Sequence, residues 1–142
     1  RHPLKWLQAI DRHRITHSGA PDFAYGACVL AAARTPNLHL DLGGWELASC
    51  GAEPVRAVTI DAFADTFEPH GFRRVALAPS YGLAEAVLAV TVKAGTGPTR
   101  MYADGARLER HLVRETDADA PGARTLIGCG EPLPGFDVRI VN

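Results

Sequence analysis

The chain has 142 residues, of which 46% are apolar and 22% charged, and its formal net charge is −1. This length suits one domain or part of a larger one, and the balanced charge, without Lys and Arg clustered among aromatics, argues against a protein that binds nucleic acid. The longest apolar run, residues 27–33, is too short to span a membrane.

Predicted helices and short strands alternate over residues 1–44. Leu4, Leu7 and Ile10 recur at the spacing of one helical face. A second helix should end before Arg34, because the residue that precedes Pro36 is disfavoured in the helical conformation. In chain order we predict a helix over 3–13, a strand over 15–17, a turn over 18–22, a helix opened by Pro21 and Asp22, and a loop with one helical turn over 38–44.

The middle of the chain is predicted to form a strand–helix–strand unit. We expect strands over 45–49 and 75–78 and, between them, a helix from Pro54 to about Pro69 that stops at Gly71. The apolar face of this helix is predicted to comprise Val58, Ala62, Phe63 and Phe67. Because such a unit joins parallel strands by a right-handed crossover, we predict an α/β fold with a mostly parallel sheet and flanking helices.

The rest of the chain is predicted to be rich in strands and turns. Residues 93–98 form a Gly-rich turn, and residues 117–122 are the most loop-like stretch. The other predicted elements are strands over 88–92, 99–102, 124–127 and 136–141 and a helical turn over 106–110. Since the first residue is not Met and the last predicted strand stops without a turn, we expect a segment cut from a longer protein.

Gly51-Ala52-Glu53-Pro54 follows the first of the two middle strands. Glycine permits close approach of the backbone to a ligand and proline fixes the start of a helix, yet a plain structural turn is the favoured interpretation of this motif by itself. Glu53 is the exception, because a carboxylate at a helix N-terminus is stabilised by the macrodipole and is also able to contact a ligand.

Ser80-Tyr81-Gly82-Leu83-Ala84-Glu85 follows the second middle strand. A tyrosine ring offers a flat face to a purine, a glycine lets the backbone approach, and a carboxylate binds Mg²⁺ beside phosphates. By itself this motif is weak evidence. Combined with residues 51–54 it is strong, because turns at the carboxyl ends of adjacent parallel strands line one crevice, where α/β sheets bind nucleotides.

The histidine, serine, tryptophan and cysteine residues outside these motifs are predicted to have structural rather than catalytic roles. His17 and Ser18 would point to opposite faces of a strand, so a hydrolase pair is disfavoured. The six histidines lack metal-ligand spacing, and Trp6 and Trp45 are predicted to anchor the core. The three cysteines stand far apart without a CxxC spacing, which is typical of reduced, buried thiols in a cytoplasmic protein.

Four stretches of the sequence resemble the fatty acyl-AMP ligases, a group of adenylate-forming enzymes. They are RHPLKWLQAIDRHRITHSGAPDFAY (1–25), GAEPVRAVTIDAFADTF (51–67), SYGLAEAVLAV (80–90) and LIGCGEPLPGFDVRIV (126–141). The first and the last distinguish this group from acyl-CoA ligases and from the adenylation domains of peptide synthetases. Ala84, where the wider superfamily has Thr, is usual for the acyl-AMP ligases.

The resemblance implies a large N-terminal domain of two stacked α/β subdomains, followed by a small mobile C-terminal domain. It also implies a reaction that joins a fatty acid to ATP, with Mg²⁺, to form acyl-AMP and pyrophosphate. The acyl group then passes to an acyl carrier protein, commonly in polyketide or lipopeptide synthesis. Residues 1–98 would belong to an α/β subdomain, 99–125 to a family-specific insertion that disfavours CoA as acceptor, and 126–142 to strands that lead to the next subdomain.

The same resemblance assigns candidate site residues. Glu85 would be the catalytic Mg²⁺ ligand. The adenine and phosphates of ATP or AMP would be bound by Gly51, Ala52, Glu53, Pro54, Ser80, Tyr81, Gly82, Leu83 and Ala84. The fatty-acyl tunnel would be bordered by Ser18, Gly19, Ala20 and Phe23.

The sequence also departs from this group of enzymes. Ser49-Cys50 stands where Phe-Asn is common, so an amide contact to adenine would be absent. There is no Ser/Thr/Gly-rich phosphate loop ending in Lys, no downstream Asp for the ribose and no C-terminal domain with its catalytic Lys. Since those groups stabilise charge in the transition state, we expect the segment to be inactive alone.

Several alternatives remain open. The chain could derive from an acyl-CoA ligase or an adenylation domain, or it could be a non-catalytic module that binds acyl groups or nucleotides, or a subdomain excised to test whether it folds alone. The partners that the resemblance implies are a fatty acid, an acyl carrier protein or polyketide or peptide synthase, and the remainder of its own N- and C-terminal domains. A cut subdomain would also expose apolar surface suited to self-association.

Overall fold

The structure, a computed structural model, describes residues 2–141. Its helices are α1 (Leu4–His13), α2 (Asp22–Ala32), α3 (Ala57–Phe67) and α4 (Gly105–Leu108). Its strands are β1 (His17–Ala20), β2 (Leu47–Cys50), β3 (Leu77–Tyr81), β4 (Thr91–Val92), β5 (Thr99–Asp104), β6 (Ala123–Gly128) and β7 (Glu131–Pro132). None of the helices in this part of the chain is long and apolar enough to cross a membrane.

A five-stranded sheet in the order β1-β2-β3-β4-β7 organises the fold. Strands β1, β2 and β3 are parallel neighbours, whereas β4 pairs antiparallel with β3 on one side and with β7 on the other. Strands β5 and β6 form a separate antiparallel pair, from Thr99 opposite Gly128 to Asp104 opposite Ala123. The predicted α/β class is therefore confirmed, as is the strand–helix–strand unit, which is β2-α3-β3.

Aromatic side chains from α1, α2 and α3 meet in the core. Tyr25 and Phe63 are fully buried, and their ring centroids lie 4.8 Å apart in an edge-to-face arrangement. Trp45, which precedes β2, is 1% exposed and lies edge-on to Phe63 at 6.2 Å and to Trp6 at 5.3 Å. Such pairs stabilise a fold by about 0.5–1.5 kcal/mol each beyond the burial of their area. The prediction that Trp45 anchors the core is confirmed.

The first strand lies later than predicted, and the predicted turn over residues 18–22 is wrong. Residues 18–20 belong to β1 and pair in register with residues 48–50. Serine, glycine and alanine have weak strand preference by themselves, but pairing with a neighbouring strand overrides that preference. Helix α2 begins at Asp22 and ends before Arg34, as predicted.

Helix α3 starts at Ala57 rather than at Pro54, and its buried face differs from the predicted one. The backbone at Arg56 is extended, with φ −102° and ψ 130°, and its amide donates a hydrogen bond to the side chain of Asp22 at 2.9 Å. This contact delays the start of the helix. Val58, predicted to be buried, is 72% exposed. The buried residues of α3 are Thr59, Ile60, Phe63, Ala64 and Phe67.

Other element limits also differ from the prediction. Strand β2 begins at Leu47, and β3 begins at Leu77, because a 3₁₀ turn at Arg74–Ala76 occupies the first two residues of the strand predicted over 75–78. Residues 38–44 contain turns but no helix, and only the end of the strand predicted over 88–92 pairs, as β4. Each short strand is defined by its hydrogen-bonded neighbour, which the local sequence does not reveal.

Residues 136–141 are not a strand, contrary to the prediction. Val138 is 44% exposed, Ile140 96% and Val141 82%. Alternation of apolar residues does not make a strand without a partner to accept its hydrogen bonds, and none of the strands described in residues 2–141 pairs with this segment. Instead, β7 pairs with β4. Strand β6 also spans residues 125 and 126, between which the resemblance implies the end of the insertion and the start of the strands that follow it.

Candidate functional site

The three parallel strands end at one edge of the sheet. Ala20 of β1 lies opposite Cys50 of β2, which lies opposite Pro79 of β3. The predicted site segments therefore come to this edge from three neighbouring strands, since each segment contains or follows a strand end. Crevices outside the carboxyl ends of parallel strands are the usual ligand sites of open α/β sheets.

Residues 51–54 follow β2 and pack against the end of β3. A Cβ atom at Gly51 would lie 2.7 Å from both the carbonyl oxygen and Oγ of Ser80, so only glycine fits this approach without a shift. Ser80 Oγ in turn donates a hydrogen bond to the Cys50 carbonyl at 3.4 Å. Ala52 adopts a left-handed conformation, with φ 64°, and is exposed together with Glu53 and Pro54. The first two site segments are thus in contact.

Two carboxylates tie residues 51–56 to the start of α2. Glu53 Oε1 accepts a hydrogen bond from the Phe23 amide at 2.6 Å. Asp22, which is fully buried, accepts hydrogen bonds from the Arg56 amide at 2.9 Å, from Arg56 Nε at 2.8 Å and from Thr59 Oγ1 at 3.0 Å. Glu53 therefore contacts the N-terminus of α2, whereas the sequence suggested the N-terminus of the helix that follows it.

Residues 81–88 fold back on themselves beyond β3. Gly82 packs so closely on the Leu88 carbonyl that a Cβ atom would overlap it. Val87 and Leu88 adopt left-handed conformations, with φ 56° and 95°, and the Val90 amide donates a hydrogen bond to the Tyr81 carbonyl at 2.9 Å. The fold leaves the Tyr81 side chain 53% exposed and the Glu85 side chain exposed within a 3₁₀ turn. Both groups are accessible to a ligand at the strand ends.

An apolar groove of about 570 Å³ opens beside the end of β1. Its lining residues are His2, Pro3, Trp6, Gly19, Ala20, Phe23, Ala24, Ala27 and Cys28. Three of the four predicted acyl-tunnel residues are among them. The fourth, Ser18, is not, but its Oγ accepts a hydrogen bond from Trp6 Nε1 at 3.0 Å and so fixes one wall. The volume lies in the range of small-molecule sites.

Burial keeps the thiols near these segments neutral. It raises the pKa of Cys28, in the groove, to about 11 and that of Cys50, at the end of β2, to about 12. Both thiols are therefore protonated at neutral pH, which suits an apolar lining and makes them poor nucleophiles. Burial also raises the pKa of the Tyr25 hydroxyl, which donates a hydrogen bond to the Ser49 carbonyl at 2.8 Å.

A metal site made by protein groups alone is absent from residues 2–141, where no cluster of three or more His, Cys, Asp or Glu side chains could hold an ion. A single exposed carboxylate such as Glu85 fits a different kind of site. Mg²⁺ is commonly bound by one or two carboxylates together with phosphate oxygens and water. The arrangement is therefore compatible with a metal that arrives with a nucleotide.

Sequence reasoning missed several residues that shape this region. The buried Asp22 carboxylate bonds to Arg56 and Thr59, a contact that no local pattern indicates, because these partners lie 34 and 37 positions from Asp22 in the chain. Trp6 was predicted as a core anchor, and it both joins the aromatic cluster and lines the groove. The helical spacing of α1 indicated an inward-facing side but not which of its residues would border a cavity.

The fold and these strand-end segments define a class of protein. The sequence matches the family described as AMP-binding enzyme over residues 1–142, and the chain belongs to that family. It is 43% identical to the medium-chain fatty acid–acyl carrier protein ligase JamA of Moorena producens, over 99% of this chain and 24% of that protein. It is 34% identical to the corresponding ligase TtuA of Teredinibacter turnerae, over 99% of this chain and 22% of that protein.

A solved structure supports the same assignment. The fatty acyl-adenylate ligase of Legionella pneumophila, crystallised with acyl adenylate and pyrophosphate, superposes with a TM-score of 0.82 at 40% identity, over 92% of this chain and 23% of that one. The resemblance to fatty acyl-AMP ligases is therefore confirmed. The chain spans about a quarter of the length of these relatives.

Proposed function

We propose that the protein to which this chain belongs activates a fatty acid with ATP, forming acyl-adenylate and pyrophosphate, and then transfers the acyl group to an acyl carrier protein. Residues 51–54 and 80–85 would bind the nucleotide, and the groove beside β1 would bind the acyl chain. Membership of the AMP-binding family supports the nucleotide, and the similarity to fatty acid ligases supports the acyl substrate.

The observation that carries this proposal is the junction of the groove and the loop after β2. Phe23 lines the groove, and its backbone amide donates a hydrogen bond to Glu53 in that loop. An acyl chain in the groove would therefore end close to a nucleotide bound along residues 51–54. A reaction between a carboxylate and the α-phosphate needs this proximity, because holding two reactants together removes much of the entropic barrier.

Each nucleotide-binding residue has a role that its surroundings permit. Gly51 lets the loop approach Ser80 closely, and Ala52 and Pro54 are exposed beside it, where adenine would bind. The half-exposed ring of Tyr81 would stack on the purine or bound the ribose. Gly82, Leu83 and Ala84 would follow the phosphates. These roles follow from the resemblance, and the substitutions Tyr81→Ala and Gly51→Ala test them.

Glu85 would hold Mg²⁺ together with phosphate oxygens of ATP. When bound, the ion would neutralise charge on the phosphates and orient them. The chain's own groups contribute differently: the apolar groove excludes water from the acyl carboxylate, and the two loops orient the reactants. Residues 1–142 lack the phosphate loop and catalytic lysine described above, so we expect this segment to bind ligands without turning them over.

The proposal also includes the acceptor of the acyl group and the cellular location of the protein. Residues 99–125 would form the insertion that disfavours CoA and so favours an acyl carrier protein, either free or within a polyketide or peptide synthase. The similarity to two acyl carrier protein ligases supports this acceptor. The rest of the protein's own N- and C-terminal domains would complete the active site, and a cytoplasmic location would suit the reduced thiols.

Titration with a non-hydrolysable acyl-AMP analogue, followed by calorimetry, tests the ligand-binding part. We expect saturable binding that Tyr81→Ala weakens by about tenfold, since stacking contributes about 1–3 kcal/mol per base. Tyr102→Ala, on β5, is the matched control and should leave the affinity unchanged. Absence of binding at millimolar analogue, with the fold intact by circular dichroism, would mean that residues 1–142 do not form a nucleotide site by themselves.

Acyl transfer by the full-length protein tests the activity. With ATP, Mg²⁺ and decanoate, we expect acyl-AMP to form and holo acyl carrier protein to be acylated, with little acyl-CoA when CoA is offered instead. Efficient acyl-CoA formation would favour the acyl-CoA ligase alternative. Binding of the analogue without adenylate formation would favour a non-catalytic module.

A further inference from the structure

Asp22 holds the loop after β2 through an unusually complete set of hydrogen bonds. The side chain is 1% exposed, and it accepts from the backbone amide and guanidinium of Arg56 and from the hydroxyl of Thr59. A buried carboxylate with this many donors is stable only in that arrangement, because loss of one partner leaves a desolvated charge. Its position at the first residue of α2 thereby fixes the position of Arg56.

Arg56 depends on Asp22 for its conformation. Its side chain is 63% exposed, so packing does little to hold it, and the guanidinium pairs with Asp22 Oδ2 at 2.7 Å through Nη2 as well as through Nε. The backbone amide of the same residue precedes the first turn of α3 and bonds to Asp22 Oδ1. The Asp22 carboxylate thus determines the residue at which α3 begins. It also fixes the position of the last part of the loop formed by residues 51–55.

The loop is tied to α2 at a second point as well. Glu53 Oε1 accepts from the Phe23 amide, and Phe23 follows Asp22 directly in the first turn of α2. Phe23 is also a wall of the apolar groove. The first turn of α2 therefore contacts both regions. The Phe23 side chain borders the groove, while the Phe23 amide and the Asp22 carboxylate form hydrogen bonds with the loop.

We infer that Asp22 is a positioning residue through which the acyl groove and the loop of residues 51–56 act on each other. An acyl chain that packs against Phe23 restricts the first turn of α2, and through Asp22 and Arg56 it restricts the loop before a nucleotide arrives. The nucleotide then loses less conformational entropy on binding, so each ligand strengthens the other by the same factor. This inference rests on the proposed function, because it assigns a coupling between the two proposed ligands.

Hydrogen exchange without ligands tests the positioning. In the full-length protein, we expect Asp22→Asn to speed exchange of the Phe23 and Arg56 amides, and of the Thr59 and Ile60 amides that bond to the Arg56 carbonyl, by about tenfold or more, while β5 and β6 are unaffected. Arg56→Lys keeps the charge and the backbone contact and should restore most of the protection that Arg56→Ala loses. Asp41→Asn, at an exposed carboxylate paired with Arg14, is the control. Unchanged exchange of the Phe23 and Arg56 amides in Asp22→Asn would overturn the positioning role.

Calorimetry of AMP binding, with and without saturating decanoate, tests the coupling in the same variants. In the unsubstituted protein we expect decanoate to lower the Kd of AMP by about fivefold or more, the usual lower range of coupling between sites. In Asp22→Asn this ratio should fall toward one, although each ligand alone still binds. A ratio that Asp22→Asn leaves unchanged would overturn the inference. No AMP binding to the unsubstituted protein would contradict the proposed function and the coupling together, whereas AMP binding with a ratio of one would contradict the coupling alone.

Discussion

The parallel strands and the β5–β6 pair are held in different ways. In β2 and β3 the residues Ala48, Cys50, Leu77 and Ala78 are at most 1% exposed, whereas β5 has one buried residue, Ala103, and β6 has none. Charged groups fasten the outer pair instead: Arg100 of β5 donates two hydrogen bonds to Asp61 of α3, at 2.9 and 2.5 Å.

This difference indicates what each region is suited to do. Apolar burial is not screened by salt and contributes a large share of stability, so β2 and β3 provide a rigid base for the loops at their ends. Partly exposed ion pairs are weak and screened by salt, so the β5–β6 pair should separate from α3 more easily than β2 and β3 separate from each other. The following substitutions test that contrast.

Phe63→Ala should give the largest effect, because Phe63 is fully buried and contacts Tyr25, Trp45, Phe67 and Phe72. We expect a loss of about 3–5 kcal/mol in the free energy of unfolding, measured by denaturant titration. A loss below about 1 kcal/mol would show that the aromatic cluster does not carry the stability of the parallel part.

Gly51→Ala should have the next largest effect, concentrated at the candidate site. The new methyl group would meet Ser80 O and Oγ at 2.7 Å, so the two loops must separate. We expect a loss of about 1–3 kcal/mol in stability, as for overpacking elsewhere, and at least about tenfold weaker binding of the acyl-AMP analogue. Gly44→Ala, with no atom near the added carbon, is the matched control. Equal affinity in both variants would contradict the close approach of the loops.

Arg100→Ala should have a smaller effect that depends on pH. The Arg100 guanidinium donates hydrogen bonds to Asp61 and holds the pKa of that carboxyl below its ordinary value. The pair therefore contributes fully above the unfolded pKa of about 4, and its contribution disappears as pH falls through the lower folded value. We expect a loss of about 0.2–1 kcal/mol at pH 7, with faster hydrogen exchange in β5 and β6.

The pH profile separates this pair from a general weakening. The difference in unfolding free energy between Arg100→Ala and the unsubstituted protein should shrink below about pH 4. Arg139→Ala, whose partner Asp137 is exposed near the end of the chain, should leave β5 and β6 unchanged. A difference that stays constant down to pH 2 would mean that Arg100 acts through packing of its side chain rather than through charge.

Val58→Ser should have the smallest effect. Val58 is 72% exposed, and substitutions at such positions usually change the free energy of unfolding by at most about 0.5 kcal/mol. Denaturant titration of residues 1–142 measures it. A loss above 1 kcal/mol would mean that Val58 belongs to the buried face of α3, as the sequence pattern predicted.

The features that the sequence predicted correctly depend on local or periodic signals. Helix α1, the end of α2 and the β2-α3-β3 unit follow from helical spacing and from proline and glycine positions. The location of residues 51–54 and 80–85 at strand ends follows from the same unit, whereas their roles toward nucleotide and metal stay predictions. Motif and topology were therefore sufficient to place both segments at the ends of neighbouring strands.

The features that the sequence did not predict depend on distant contacts. The start of α3 is set by Asp22, which is 34 positions from Arg56 along the chain. The residues of β1 have weak strand preference by themselves and form a strand because they pair with β2. Residues 136–141 lack such a partner among the strands described. A buried carboxylate that joins the start of α2 to the start of α3 leaves no periodic trace, since an Asp after a Pro indicates only the start of a helix.

The contacts of Glu53 with Phe23 and of Arg56 with Asp22 also determine where this chain tolerates recombination with a relative. A crossover between residues 23 and 53 would join the start of α2 from one parent to the loop from another, and would bring together side chains that never evolved in the same protein. Crossovers before Pro21 or after Thr59 keep both contacts within one parent. Chimeras of this chain with a relative should therefore exchange residues 21–59 as one block.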